Sequence, residues 1–214
     1  MELTRYEHAC TVLELDGRRL VIDPGNLTRS LADVSEVVAI VITHEHADHW
    51  TDEQLTALRA ANPAVRIVGP AGVVLAASGH PVERVDAGDT LEVEGFRLEF
   101  FGSKHAVIHS SIPIVDNVGV LVNGAFYYGG DSYTVPGTAV EVLAAPCGAP
   151  WLKIGEAMDY VLEVAPRLAF AVHDAPLSPF GLGMHRARLR WATEQAGGEF
   201  IDLDESTARL SAVT

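Results

Sequence analysis

Three histidines and an aspartate fall within six residues of one another: His44, His46, Asp48 and His49, in the run Thr43-His44-Glu45-His46-Ala47-Asp48-His49-Trp50. Neutral imidazole and carboxylate are preferred ligands of zinc and its borderline neighbours. Groups this closely spaced converge only where the backbone turns sharply, and water-poor surroundings would not hold four of them together without a bound cation. The run reads as a metal site rather than a solvated polar loop. Three further candidates each follow a strand-like stretch. His105 comes after Phe96–Phe101 through Gly102-Ser103-Lys104, Asp131 after residues 125–128 through Gly129-Gly130, and His173 after residues 169–172. The paired glycines let the backbone turn tightly beside a ligand. His109, four residues beyond His105, competes with it for the same place. His105 is favoured because it directly follows the strand, which leaves His109 to support a ligand or touch substrate.

The elements that would carry these residues can be read from patterning. Residues 10–15 and 19–23 form strands joined by Asp16-Gly17, a strong hairpin signal. Residues 37–42 are a continuous apolar run, mostly β-branched, the mark of a strand buried on both faces, and it ends at the histidine cluster. A helix over 51–61 follows, capped by Thr51 or Asp52 and stopped by Asn62-Pro63. Then come a strand over 65–68, a short helix over 71–78 and a strand over 82–85. Hairpins pair Thr90–Val93 with Phe96–Phe101 across Glu94-Gly95, and 118–122 with 125–128 across Asn123-Gly124. A strand over 140–143, a helix over 155–164 ending before Pro166, the strand Leu168–Val172, a helix over 184–195 stopped by Gly197-Gly198 and a short strand over 200–203 complete the chain before a tail. Strands thus come in two batches, each led by hairpins and followed by strand–helix units. The expected architecture is α/β: a four-layer αββα sandwich of two mixed sheets with flanking helices. No repeat and no linker rich in Pro, Gly or Ser divides residues 1–214, so a single domain is expected.

Composition narrows the function classes. Hydrophobic residues make up 48% and charged residues 21%, the balance of a globular protein rather than a disordered one. No stretch approaches a membrane-spanning run and the first residues lack a secretion signal, so a cytoplasmic protein with no membrane partner is expected. Cys10 and Cys147 lie too far apart in sequence to indicate a disulfide scaffold. The net charge of −14 works against phosphate contacts with long nucleic acids but not against a small anionic substrate, because bound metal ions dominate the potential inside a site.

At these residues the chain resembles the metallo-β-lactamase superfamily. The family's H-x-H-x-D-H stands as His44-Glu45-His46-Ala47-Asp48-His49, and its later histidine, glycine-flanked aspartate and last histidine are matched in order by His105, Asp131 and His173. The likeness extends from the N-terminal hairpin with Leu20-Val21-Ile22-Asp23-Pro24 to His173. Within the superfamily it is most similar to the small bacterial branch of ascorbate-6-phosphate lactonase-like proteins, through His8-Ala9-Cys10 and Ile22-Asp23-Pro24. The resemblance implies two divalent ions, Zn²⁺ first with Mn²⁺ or Fe²⁺ admitted. His44, His46 and His105 would hold one, Asp48, His49 and His173 the other, with Asp131 bridging and a hydroxide between the ions as nucleophile. Asp48 and Asp131 are accordingly the catalytic carboxylates. Oxygen-reducing di-iron members carry a carboxylate where His46 stands, which points to hydrolysis instead. Neither cysteine matches the ligand of antibiotic-hydrolysing members, so antibiotic hydrolysis is not expected.

Around this set, His8 and Asp23 are candidates to orient ligands, although a turn cap before Pro24 is the favoured role for Asp23. His185 either donates to a substrate oxyanion from the loop after His173 or simply starts the next helix. Trp50 and Trp151 are candidates for an apolar wall. The leading reading is a metal-dependent hydrolase cleaving an ester-like bond (phosphoester, lactone or amide) in a small molecule, with assembly into identical copies left open. The alternatives are a nucleic-acid-processing nuclease of the same superfamily and a non-catalytic metal-binding protein.

Overall fold

Three hairpin turns are closed by residue pairs that both adopt positive φ, Asp16-Gly17, Glu94-Gly95 and Asn123-Gly124, the left-handed pair that matches the twist of the strands on either side. The computed structural model describes residues 1–203 and the backbone of 209–211. It comprises β1 (Glu2–Arg5), β2 (Thr11–Leu15), β3 (Arg18–Ile22), β4 (Val37–Val41), α1 (Asp52–Ala61), β5 (Arg66–Gly69), α2 (Ala71–Ala76) and β6 (Val82–Arg84) in its first half. The second half holds β7 (Thr90–Val93), β8 (Phe96–Phe101), β9 (Gly119–Val122), β10 (Phe126–Tyr128), β11 (Val142–Pro146), α3 (Ile154–Val164), β12 (Leu168–Val172), α4 (Pro179–Gln195), β13 (Glu199–Phe200) and β14 (Arg209–Ser211).

The strands form two seven-stranded sheets, ordered β14-β1-β2-β3-β4-β5-β6 and β13-β12-β11-β10-β9-β8-β7. Each sheet is antiparallel through its hairpins and parallel through its strand–helix units. The expected αββα sandwich is what the chain adopts. Alternation along the strands explains the layers. On β2 and β4, Leu13, Ala39 and Val41 face the opposite sheet, where Phe96, Phe100, Phe126 and Phe170 meet them, while Val12, Ile40 and Ile42 pack under α1 and α2. The outer face of the second sheet is covered by α3 and α4 through Tyr160, Val161 and Leu189. Burying both faces of each sheet is what parallel strands require.

Most boundaries shift by a residue or two, the strand expected over 200–203 is the shorter β13 at Glu199–Phe200, and three further departures matter more. β1 was not foreseen: it is a four-residue strand held by β2 on one side and β14 on the other. β11 is displaced toward the C-terminus of the expected 140–143, because its parallel register with β10 and β12 begins at Val142. α4 starts five residues earlier than expected, at Pro179. Ser178 caps it by accepting from the Gly181 amide at 3.2 Å, and proline suits the first turn. Most of the segment taken for a loop between His173 and His185 is therefore helix. Among the described residues no helix is long and apolar enough to cross a membrane.

Strand direction gathers one edge of the sandwich. The C-terminal ends of β3, β4, β10 and β12, the segment after β8 and the β1–β2 connection all meet there. Backbone bonds tie the two sheets together at this edge: Val118 N donates to Thr43 O at 2.9 Å and His173 N to His8 O at 2.8 Å.

Candidate metal centre

The parallel pairing Ile22↔Val41 sets the ends of β3 and β4 side by side. Asp23, the residue after β3, is fully buried and accepts three hydrogen bonds from the β4 side. They come from the Thr43 amide (2.8 Å), the Thr43 hydroxyl (2.6 Å) and His49 Nδ1 (2.6 Å). This corrects the expected turn cap: Asp23 positions a candidate ligand. Its neighbour Gly25 passes so close beneath the ligand loop that a Cβ there would lie 1.9 Å from the Asp48 carbonyl oxygen.

The same logic fixes the other rings. The Thr43 hydroxyl gives its proton to Asp23, so its oxygen accepts from His44 Nδ1 at 3.0 Å. His105 Nδ1 donates to Ala106 O and His173 Nδ1 to Gly148 O at 2.6 Å. With their Nδ1 protons committed to oxygen acceptors, His44, His49, His105 and His173 each turn an Nε2 lone pair inward. His46 brings Nδ1 to 3.1 Å from His44 Nε2.

Asp131 lies among them. Its Oδ1 is 3.3 Å from His49 Nε2, and its Oδ2 is 3.4 Å from His105 Nε2 and 3.2 Å from His173 Nε2. Asp48 Oδ2 sits 3.3 Å from His173 Nε2. Two donors on a tetrahedral ion with bonds of about 2.0–2.1 Å stand roughly 3.3 Å apart, close to the 3.1–3.4 Å of the contacts just given. Three groups of donor atoms, each within 4.8 Å of one another, can be drawn: His44/His46/His105, His44/His49/Asp131 and His8/Asp48/His49/His173. Nε2 of His49, His105 and His173 and Oδ1 of Asp131 are buried with no hydrogen-bond partner. Unpaired buried polar atoms are costly, and here they converge, as expected of cation ligands. The residues fit a metal centre on this ground alone.

Electrostatics agree. Burial would push Asp131 up, but His49 and His173 outweigh it and hold its carboxyl well below the usual range. Burial likewise opposes the ionised form of Asp48, and the neighbouring His173 and His8 override it. The rings answer in kind. Burial works against charge on His173, yet Asp131 raises it to about 9, and Asp131 with Asp23 lifts His49 well above its ordinary value despite full burial. His44, by contrast, is driven well down by burial and by His49. Of the cluster, His46 and Asp48 are the partly exposed members and mark its open side.

The family model described as a β-lactamase superfamily domain matches residues 2–173, a span that contains every one of these donors. The chain belongs to the metallo-β-lactamase superfamily. Protein Rv0786c of Mycobacterium tuberculosis is 36% identical to this superfamily member over 213 residues, covering 97% of this chain and 99% of the relative. The UPF0173 metal-dependent hydrolase MK1542 of Methanopyrus kandleri is 29% identical over 205 residues, 84% of this chain and 86% of the relative. Among solved structures, Igni18, a metallo hydrolase from Ignicoccus hospitalis, aligns with a TM-score of 0.74 at 19% identity over 99% of this chain and 98% of its own, a likeness of fold.

In this metallo-β-lactamase fold all seven sequence-matched residues, His44, His46, Asp48, His49, His105, Asp131 and His173, come together. His109 does not: it is exposed and shares a hydrogen bond with Ser111. His109→Ala is expected to leave metal content unchanged. His105→Ala should weaken metal binding by more than the 10–100-fold that loss of a supporting group costs. Elemental analysis of both purified variants checks this, and the reverse outcome would move the ligand to His109. His185 lies inside α4 with Nδ1 bonded to the Cys147 carbonyl, outside the cluster, so the structure gives no support to an oxyanion role.

Two supporting residues, Asn117 and Thr43, escaped the sequence reading. Asn117 is buried and accepts from the Asp131 amide at 3.0 Å while donating to Gly129 O at 2.9 Å. Gly130, at φ +62, leaves room for that amide group: a Cβ there would lie 2.4 Å from Asn117 Oδ1. Thr43 relays between Asp23 and His44, a role a lone threonine does not advertise. Trp151, taken for an apolar wall, instead donates from Nε1 to Asp131 Oδ2 at 2.7 Å. Trp50 closes the ligand loop by donating to Glu45 O at 3.1 Å.

Proposed function

We propose that this chain is a metal-dependent hydrolase that cleaves an ester-like bond, a phosphoester, lactone or amide, in a small molecule. Two divalent ions would be held, Zn²⁺ by preference because the donors are mostly imidazole. His44, His46 and His105 would take one, Asp48, His49 and His173 the other, with Asp131 shared. Such ions, when bound, bring the acidity of water to near neutral pH and stabilise charge on the attacked group. The reading is carried by one observation: four buried, unpartnered donor atoms, on His49, His105, His173 and Asp131, converge at one edge of a metallo-β-lactamase fold.

The chain's own residues do the rest of the work. Asp23, Thr43, Ala106 and Gly148 commit the Nδ1 protons, so each ring is held in the tautomer that offers Nε2 inward. Asn117 and Trp151 fix Asp131 from its backbone and from Oδ2. Asp48 is held ionised far below working pH, and with His46 it faces the open side where substrate would enter. A nuclease role finds no support in the charge of −14. Metal analysis of the purified protein, followed by assay of the loaded form on chromogenic phosphodiester, lactone and β-lactam substrates, tests the proposal. About two ions per chain and turnover of a phosphodiester or lactone are expected. A single ion per chain would overturn the paired site, and no turnover of any ester-like substrate would favour a non-catalytic metal-binding protein.

A further inference from the structure

His8 stands apart from the other histidines of this edge. It lies in the β1–β2 connection, fully buried, in the left-handed region at φ +58, and its ring packs 4.0 Å from that of His173. Distance alone would make it a fourth ligand beside Asp48, His49 and His173. The hydrogen bonds say otherwise. We propose that His8 is not a ligand but the residue that positions Asp48 for the second ion, donating to its carboxylate from Nε2. This deepens the two-ion reading and rests on it.

The ring tautomers set His8 apart from the ligands. The rings of His44, His49, His105 and His173 each place Nδ1 against an oxygen acceptor, which fixes the proton there and frees Nε2. His8 is wired in reverse. The Ala175 backbone amide points at its Nδ1 at 3.4 Å, and an amide can only donate, so Nδ1 must carry the lone pair. The proton then sits on Nε2, which lies 3.1 Å from Asp48 Oδ2. A ring whose one lone pair is already taken by a backbone amide has none for a cation. Accordingly, His8 Nε2 has its partner, whereas Nε2 of His49, His105 and His173 has none.

A carboxylate oxygen has two lone-pair directions. His8 occupies one on Asp48 Oδ2 and leaves the other turned toward His173 and His49, whose Nε2 atoms lie 3.3 and 3.9 Å away. The clasp is anchored at both ends. His173 N donates to His8 O at 2.8 Å, and three residues before His8 the buried Arg5 guanidinium lies 2.6 Å from Asp174 Oδ2. One segment of the chain therefore fixes both the side chain of one second-ion ligand and the backbone of another, while touching none of His44, His46 or His105 through any hydrogen bond described above.

The test compares His8→Phe, which fills the space without a donor, with His8→Gln, whose amide restores an N–H near the Nε2 position. Zn²⁺ affinities are measured by chelator competition on the full chain. The tautomer of His8 is read from ¹⁵N shifts of its ring in wild type. The expected result is a second-ion affinity about 10–100-fold weaker in His8→Phe, a first-ion affinity unchanged, recovery in His8→Gln to within a few-fold, and a wild-type His8 ring protonated on Nε2. Unchanged second-ion binding in His8→Phe would overturn the inference. So would a His8→Gln variant as weak as His8→Phe, or a ring shift showing His8 coordinated or protonated on Nδ1. Wild-type protein that takes up one ion only would sink the two-ion reading instead, and the ring shift would then still decide whether His8 donates from Nε2. If His8→Phe does not fold, the ring shift and His8→Gln carry the decision.

Discussion

Asp131→Ala is expected to abolish turnover of whichever substrate the panel identifies, a fall on the order of 10³-fold or more. It should also leave the protein unable to hold both ions together. The reason is positional. Asp131 Oδ1 faces His49, and Oδ2 faces His105 and His173, so the inward Nε2 atoms of both proposed ligand sets meet at this carboxylate. Asn117 holds its backbone and Trp151 holds its Oδ2, so the carboxylate is fixed in that position. Removing it leaves the Trp151 indole N–H without its acceptor, a cost of about 1.5–3 kcal/mol for a bond to a charged group, which a stability of about 5–15 kcal/mol survives. Asp131→Asn, which keeps an acceptor for Trp151, should fold as well as wild type and still be inactive. Steady-state rates and elemental analysis on both variants check this. An undiminished rate in either would remove Asp131 from the mechanism.

What could be read in advance was whatever is local along the chain. The buried strand before the histidine run was legible because residues 37–42 are almost uniformly β-branched, and the hairpins because Asp-Gly, Glu-Gly and Asn-Gly pairs tolerate positive φ. The H-x-H-x-D-H run announced itself by spacing. The start of α4 was hidden because Gly181 and Gly183 argue against helix while the cap and proline that favour it sit earlier, at Ser178 and Pro179. The choice between His105 and His109 depends on where the chain goes after β8. There Lys104 bridges to Asp116 and the His105 amide bonds Val115 O, long-range closures invisible in a linear pattern. Of the supporting shell, His8 and Asp23 were named as candidates to orient ligands, but the partners of its members were not visible. Asn117 meets Asp131 across 14 positions, Trp151 across 20 and His8 meets Asp48 across 40, and nothing in the local sequence of any of them marks a partner so far away.

Asp23→Ala tests how far that supporting shell underwrites both fold and site, and two separable losses are expected. In metal-free protein the substitution should cost about 3–5 kcal/mol. It strands the Thr43 amide and His49 Nδ1, both buried, and removes the acceptor of the Thr43 hydroxyl. In metal-loaded protein it should weaken binding by a further 10–100-fold, about what loss of a group supporting a ligand costs. His49 would lose the acceptor that keeps its proton on Nδ1, and the Thr43 hydroxyl, freed to turn, would no longer hold His44. Asp23→Asn should fall between the two, since one oxygen can accept from Thr43 or from His49 but its amide nitrogen cannot. Urea unfolding of chelator-stripped protein measures the first loss and Zn²⁺ competition the second. A metal-free variant destabilised by less than about 1 kcal/mol would mean that a relaxed backbone or water replaces the carboxylate. Unchanged Zn²⁺ affinity would mean that His49 is oriented by the β4 backbone alone, and the chain of contacts from β3 through Asp23 to the ligands would then be packing rather than tuning.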